Sequence, residues 1–140
     1  MSRENVEIAL RIFDAYTRRD FDAALALMDP EAEAHNPPEV PEAGIQRGRE
    51  AVRRDWEQTL ELFDDFSVEL EEYFDAGDDL LVYLLYRGRS RGSHAEVVAP
   101  MAHVWTFREG KVIRFRQFLD RAEARAAVGL SKMDAPADSP

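Results

Sequence analysis

The sequence predicts an α+β domain in which helices come first and strands follow. Two patterns carry this. Apolar residues recur at helical spacing up to Phe63, and from Phe66 onward the period drops to two. Third, 140 residues of which 45% are hydrophobic suit one core and one domain. Helices and strands are segregated along the chain, which argues against a parallel α/β fold.

Each element has a local reason. Ser2 is a good N-cap and Glu4 suits the positive start of a helix. Val6, Leu10, Phe13 and Tyr16, widened by Ala9 and Ile12, then place a helix over residues 3–18. Asp20 caps a second helix from Phe21 to Met28, and Asp29-Pro30 ends it. Glu31 to Asn36 reads as a short strand. Pro37, Pro38 and Pro41 force an extended loop without ladder donors. Gly48 opens a third helix over 49–63, with Val52, Trp56, Leu60 and Phe63 as its stripe.

Then Phe66, Val68, Leu70 and Phe74 alternate with Ser67, Glu69, Glu71 and Asp75, as in a half-buried strand. Gly77-Asp78-Asp79 turns the chain into a strand from Leu80 to about Arg91. Gly92-Ser93-His94 turns it again, and residues 95–108 form a third long strand. Glu109-Gly110 is a tight hairpin signal before a last strand over 111–119. Asp120 caps a final helix over 120–129, with Glu123 completing a capping box and Gly129 stopping it. Residues 1–130 make one domain, and the tail 131–140 is expected to be disordered.

Composition narrows the functional classes. The longest apolar run, Leu80 to Tyr86, is strand length, so no membrane span is expected. The start of the chain has no apolar stretch and reads as no signal peptide. There are no cysteines, which removes disulfides, thiolate metal sites and a cysteine nucleophile. A cytoplasmic location follows as the plain expectation. A net charge of −10 opposes duplex binding through phosphates. The Arg87-Gly-Arg-Ser-Arg91 run reads as a hairpin arm facing water or acidic groups, so no nucleic-acid partner is expected.

Four segments carry a resemblance over about residues 1–130. They are the stretch from Arg18 through Asp20 to Leu25, Asn36-Pro37 before Gly48-Arg-Glu-Ala-Val, Val97 to His103, and Glu109 to Asp120. Together they resemble the nuclear transport factor 2-like superfamily, which includes ketosteroid isomerases, limonene epoxide hydrolases and SnoaL-like polyketide cyclases. The resemblance implies a cone: a strongly curved, mixed but mostly antiparallel sheet wrapped around three N-terminal helices, with a short C-terminal helix. It also implies a small-molecule pocket on the concave side, since the enzymes of this group place polar groups there. Asn36, Tyr86, Gly88, Ala102 and Gln117 should then point inward. Val82, Leu84, Val104, Phe115 and Leu119 follow by alternation. Trp56 and Tyr16 or Phe13 close the cone, giving an apolar pocket with a few polar groups.

The catalytic groups of the family do not carry over. By the motif match, the ketosteroid isomerase base falls at Asn36, and its oxyanion donors fall near Ile12 and at Ala102. The limonene epoxide hydrolase triad falls at Tyr86, Gly88 and Gln117, where only the water-holding Asn36 matches. The cyclase aspartate falls at Gln117. Each mechanism loses its base, so neither ketosteroid isomerisation nor epoxide hydrolysis is expected.

Substitute bases are few. His35, His94 and His103 match no metal motif, and neither metal nor cofactor is expected. His94 lies in a turn. His35 and His103 are the candidate bases, although alternation turns both away from the pocket. Glu39 and Glu42 read as loop charges and Asp120 as a cap. Tyr86 is the aromatic expected to act as more than core, with Asn36 or Gln117 as its partner.

Three readings follow. The first is a small-molecule-binding SnoaL-like pocket protein for an apolar or carbonyl-bearing ligand. The second is a cofactor-free cyclase, isomerase or hydratase. The third is a dimeric interaction module whose cone is filled by its own side chains. A homodimer is expected through the convex sheet face. Met101, His103, Trp105 and Phe107 lie there by alternation, beside Tyr83, Leu85 and Arg87, and Arg114, Arg116 and Phe118. The final helix, rich in alanine, should cover little of that face.

Overall fold

The computed structural model describes residues 2–40 and 43–129. The expected tail 131–140 and Pro41 and Glu42 of the loop lie outside these residues. The elements are α1 (Ser2–Thr17), α2 (Phe21–Ala26), β1 (Met28–Asn36), β2 (Gly44–Arg47), α3 (Arg49–Glu61), β3 (Phe63–Ala76), β4 (Asp79–Ser90), β5 (Glu96–Arg108), β6 (Lys111–Phe118) and α4 (Arg121–Ala127). The α+β architecture is the expected one: a six-stranded sheet in the order β2-β1-β6-β5-β4-β3. β3 to β6 run as an antiparallel meander, and β1 joins β6 in parallel.

The local signals act as chemistry dictates. The Asp20 carboxylate accepts from the Ala23 N–H at 3.2 Å and caps α2. The Asp120 carboxylate accepts from the Ala122 and Glu123 N–H groups at 2.8 and 3.4 Å and caps α4. Glu109 and Gly110 both take positive φ, the left-handed geometry of the tight β5–β6 hairpin.

Several boundaries differ from expectation. α3 ends at Glu61, and Phe63, expected on its apolar stripe, opens β3 instead. α2 ends at Ala26, and β1 already begins at Met28 rather than Glu31. Pro30, which has no N–H for the ladder, sits where the β1–β6 register shifts between Met28 and Glu33. The proline loop also contains a strand, β2, which pairs antiparallel with β1 from Glu33↔Arg47 to Asn36↔Gly44. β3 carries a bulge between Leu70 and Glu72. One extra residue reverses the alternation, so Leu70 stays concave while Phe74 packs on the convex side with Leu81 and Tyr83.

The same face rule corrects β5. Residues paired across strands share a face. Leu80 pairs with Trp105, Val82 with His103 and Leu84 with Met101, and these β4 residues face the helices. Met101, His103, Trp105 and Phe107 therefore point into the concave core, not onto the outer face. Ala102 and Val104, expected in the pocket, pack on the convex side with Leu81 and Phe74. The family match placed Ala102 inward, and alternation carried that one-residue offset along the strand.

The convex face is not bare either. α4 folds back onto it, burying Ala124 among Phe74, Tyr83, Ala102 and Val104. Its alanines contribute less than its arginines do. Arg121 lies over the Tyr83 ring at 4.5 Å and Arg125 over the Phe74 ring at 4.9 Å. Arg121 also donates to the Leu84 and Met101 carbonyls at 2.9 and 3.4 Å and pairs with Glu71. The expectation that this helix covers little of the face thus fails, because it ignored the apolar stems of Arg121 and Arg125.

Candidate functional site

A cavity of about 200 Å³ lies between α1, α3 and the concave side of the sheet. Ile12, Phe13 and Tyr16 of α1 form one wall, and Trp56 of α3 another. Val68, Met101, Trp105 and Phe115 line the sheet side. The rings lock one another. Trp105 stacks on Phe115 at 4.9 Å, Phe13 meets Trp105 edge-on at 5.3 Å, and Tyr16 meets Trp56 edge-on at 5.4 Å.

Of the residues expected in the pocket, Tyr16, Trp56, Tyr86, Phe115, Gln117 and Leu119 line this cavity. Leu119 is 45% exposed, as is Leu62 of the same lining, so these two mark the mouth. Asn36 stands behind the lining. Its side-chain oxygen accepts from Gln117 Nε2 at 3.0 Å, and it borders a shallower neighbouring groove with Pro37, Glu39 and Arg116. Gly88 faces Phe63 and Phe66, where an added Cβ would meet both side chains at 3.3 Å. Ala102 and Val104 are on the other side of the sheet.

The two candidate bases part company. His35 is on the convex side, where its ring bonds Glu33 at 2.8 Å across one residue. That bond, with Arg47 beside it, holds the Glu33 carboxyl below its usual range. His103 is in the cavity wall, contrary to the expected alternation. It is 6% exposed, and burial pushes its pKa down to about 3. Its Nε2 is 2.8 Å from the Tyr86 hydroxyl, and its Nδ1 accepts from Trp105 Nε1 at 3.2 Å. A neutral imidazole engaged at both nitrogens does not take up a proton at neutral pH. The expected partner of Tyr86 was Asn36 or Gln117; the partner is His103.

Burial raises both the Tyr86 and Tyr16 hydroxyls above the usual phenol range, and Asp55 nearby adds to both shifts. They stay protonated and can donate hydrogen bonds.

Asp55 is the functional candidate the sequence reading missed. It lines the cavity and is 5% exposed, so the pocket does contain a carboxylate. The signal was present but subtle. Asp55 follows Val52 by three positions and precedes Thr59 by four, on the apolar side of α3. Among the described residues, no group of His, Asp and Glu could hold a metal ion. No helix there is long and apolar enough to cross a membrane. The Arg87 and Arg91 hairpin arm pairs with Glu69 and Asp64 of β3.

A family model described as a SnoaL-like domain matches residues 9–115. No functionally curated protein is a significant match. Among solved structures, a nuclear transport factor 2-like protein from Burkholderia thailandensis is 30% identical, covering 84% of this chain and 94% of that one, with TM-score 0.75. A candidate SnoaL-like polyketide cyclase from a Jannaschia species is 23% identical, covering 93% and 94%, with TM-score 0.75. A nuclear transport factor 2-like protein of unknown function from Burkholderia pseudomallei is 19% identical, covering 90% and 98%, with TM-score 0.76.

Proposed function

Because the chain belongs to the SnoaL-like family, we propose that it binds a compact, largely apolar ring compound bearing a carbonyl. The observation that carries this is the apolar cavity of about 200 Å³, open at Leu62 and Leu119, with Tyr86 in its wall. For scale, an engineered apolar cavity of about 150 Å³ in another protein holds benzene. The void also argues against a cone filled by its own side chains. The acceptor a carbonyl offers suits a buried phenol that keeps its proton.

The test uses acetophenone and ethylbenzene, which differ by the carbonyl. Each should raise the melting temperature and change Trp56 and Trp105 fluorescence, acetophenone at lower concentration. Val68→Trp, which fills the cavity, should abolish both responses. Ring compounds that leave melting and fluorescence untouched, or bind equally well to Val68→Trp, would sink the reading.

Asp55 favours a second reading. A carboxylate in an apolar cavity beside two phenols is suited to proton transfer on a bound carbonyl compound. The activities whose bases would fall at Asn36 and Gln117 remain expected to be absent. The candidate cyclase from Jannaschia is compatible with this reading.

We also propose a homodimer through the part of the convex face beside α4, around Leu85, Arg114 and Arg116 and bordered by Phe118, which is half-buried against the cluster of Ala124. The Nε atoms of Arg114 and Arg116 are buried without a hydrogen-bond partner among the described residues, and a partner's carboxylates would satisfy them.

A further inference from the structure

We propose that His103 is a positioning residue: its Nε2–H holds the Tyr86 hydroxyl as a donor aimed at the ligand's oxygen, and Trp105 fixes the tautomer that allows it. The ligand half of this rests on the carbonyl reading above. The half that concerns the protein does not.

The argument starts at Trp105. An indole Nε1 carries a hydrogen and no lone pair, so it can only donate. It lies 3.2 Å from His103 Nδ1, which must therefore present its lone pair. A neutral imidazole has one N–H, and that hydrogen is then on Nε2. Nε2 is 2.8 Å from the Tyr86 oxygen, so the phenol accepts there. The phenolic hydrogen is directed away from His103 and is left for a second partner. The opposite tautomer, or the imidazolium, would set two N–H groups against each other between Trp105 and His103.

The indole has no room to turn away from this bond. It is stacked on Phe115 at 4.9 Å and met edge-on by Phe13 at 5.3 Å, and it is 2% exposed. Trp105 and His103 alternate on one face of β5, and Tyr86 comes from the paired strand β4. The three groups thus form a one-way chain of donors, from Trp105 to His103 to Tyr86 and on to the ligand. Each bond polarises the next in a site shielded from water. The low pKa of His103 fits a ring that stays neutral in this chain.

Two consequences follow for the ligand. It must bring a lone pair to Tyr86, as a ketone, an aldehyde or an enolate oxygen does. A group that can only donate at that point, such as an indole-type N–H, meets another donor and gains nothing from it. His103 contributes orientation and polarisation. Its ring also stands in the cavity wall, but both its nitrogens are engaged within the protein, so its polar effect reaches the ligand through Tyr86.

The first experiment needs no ligand. Imidazole nitrogen NMR shifts of the full chain at neutral pH should show His103 protonated at Nε2 and unprotonated at Nδ1. A proton on Nδ1, or on both nitrogens, overturns the positioning role. The second compares the preference for acetophenone over ethylbenzene across variants with intact near-UV circular dichroism. Tyr86→Phe should abolish the preference. His103→Leu should reduce it by roughly threefold to tenfold, the worth of one polarised hydrogen bond. His103→Gln, whose amide N–H can replace Nε2–H, should restore at least part of it. Wild-type preference in a folded His103→Leu variant overturns the proposal. A preference untouched by Tyr86→Phe sinks the ligand half, while the NMR result still decides the role of His103 within the protein.

Discussion

Acidification should destabilise this protein through one residue. His103 has a folded-state pKa of about 3, against an ordinary value of 6.5. The unfolded chain therefore binds a proton that the folded chain refuses at any pH between those values. With the folded value depressed, stability is fully present above the unfolded value and is lost as pH falls below it. Between about pH 7.5 and about pH 5.5 the loss works out at about 1.4 kcal/mol, one unit below the unfolded value. At that pH the answer depends on the unfolded value, not on how far below 5 the native one lies. Most carboxylates also remain ionised there. The assay is urea unfolding followed by tryptophan fluorescence at the two pH values, for wild type and His103→Gln. His35 and His94 are common to both proteins and cancel. The wild type should lose about 1.4 kcal/mol more than the variant over this interval. Equal losses, or a native His103 that titrates near 6.5 by NMR, would refute the reasoning.

Other outcomes are expected. Arg121→Ala removes two bonds to carbonyls, a pairing with Glu71 and a stack on Tyr83. It should cost about 2–3 kcal/mol in urea unfolding, and a loss under about 0.5 would mean that α4 is held by something else. Light scattering at micromolar concentration should give twice the 16.0 kDa chain mass, and Phe118→Glu should halve it. A monomeric wild type ends the dimer proposal. Trp105 cannot serve for that test, because it faces the core. If Asp55 transfers protons, the methyl hydrogens of bound acetophenone should exchange with deuterated water. Asp55→Asn should slow that exchange by roughly 10²–10⁴-fold. Exchange at the uncatalysed rate in wild type would remove the second reading.

The architecture was legible because its signals are local. Helical spacing on α1 and α3, the period-two run of β3, the apolar run of β4 and the aspartate caps of α2 and α4 each depend on residues close in sequence. What was illegible depends on pairing. Four-residue β2 is too short to show a period, and Ile45 within it is 58% exposed, so nothing apolar marks its face. The bulge at Glu71 reverses faces without any change in composition. On β5 the run from Met101 to Phe107 is buried on both sides, first by the helices and then by α4. A strand buried on both faces shows no alternation, so its parity had to be borrowed from the family match, and it came out one residue off. Pairing with β4 would have corrected it: Val82 and Leu84 were already placed inward, and their partners share that face.

That offset had a functional consequence larger than its size. Turning β5 by one residue moves His103 from an outer surface, where it would titrate freely, into the wall of the cavity beside Tyr86. It also removes Met101, Trp105 and Phe107 from the supposed interface, putting Met101 and Trp105 in the cavity wall and Phe107 in the core. The polar groups of the cavity come from α1, α3, β4, β5 and β6, and none stands out locally from an aromatic core. Tyr16, Trp56, Trp105 and Phe115 pack the fold and shape the site with the same ring faces. Truncating any of them confounds binding with stability, since removing a buried aromatic costs about 3–5 kcal/mol. The informative changes are those that keep shape and move a single hydrogen bond: Tyr86→Phe, His103→Gln and Asp55→Asn. Each removes or replaces one polar group of the cavity without truncating Tyr16, Trp56, Trp105 or Phe115.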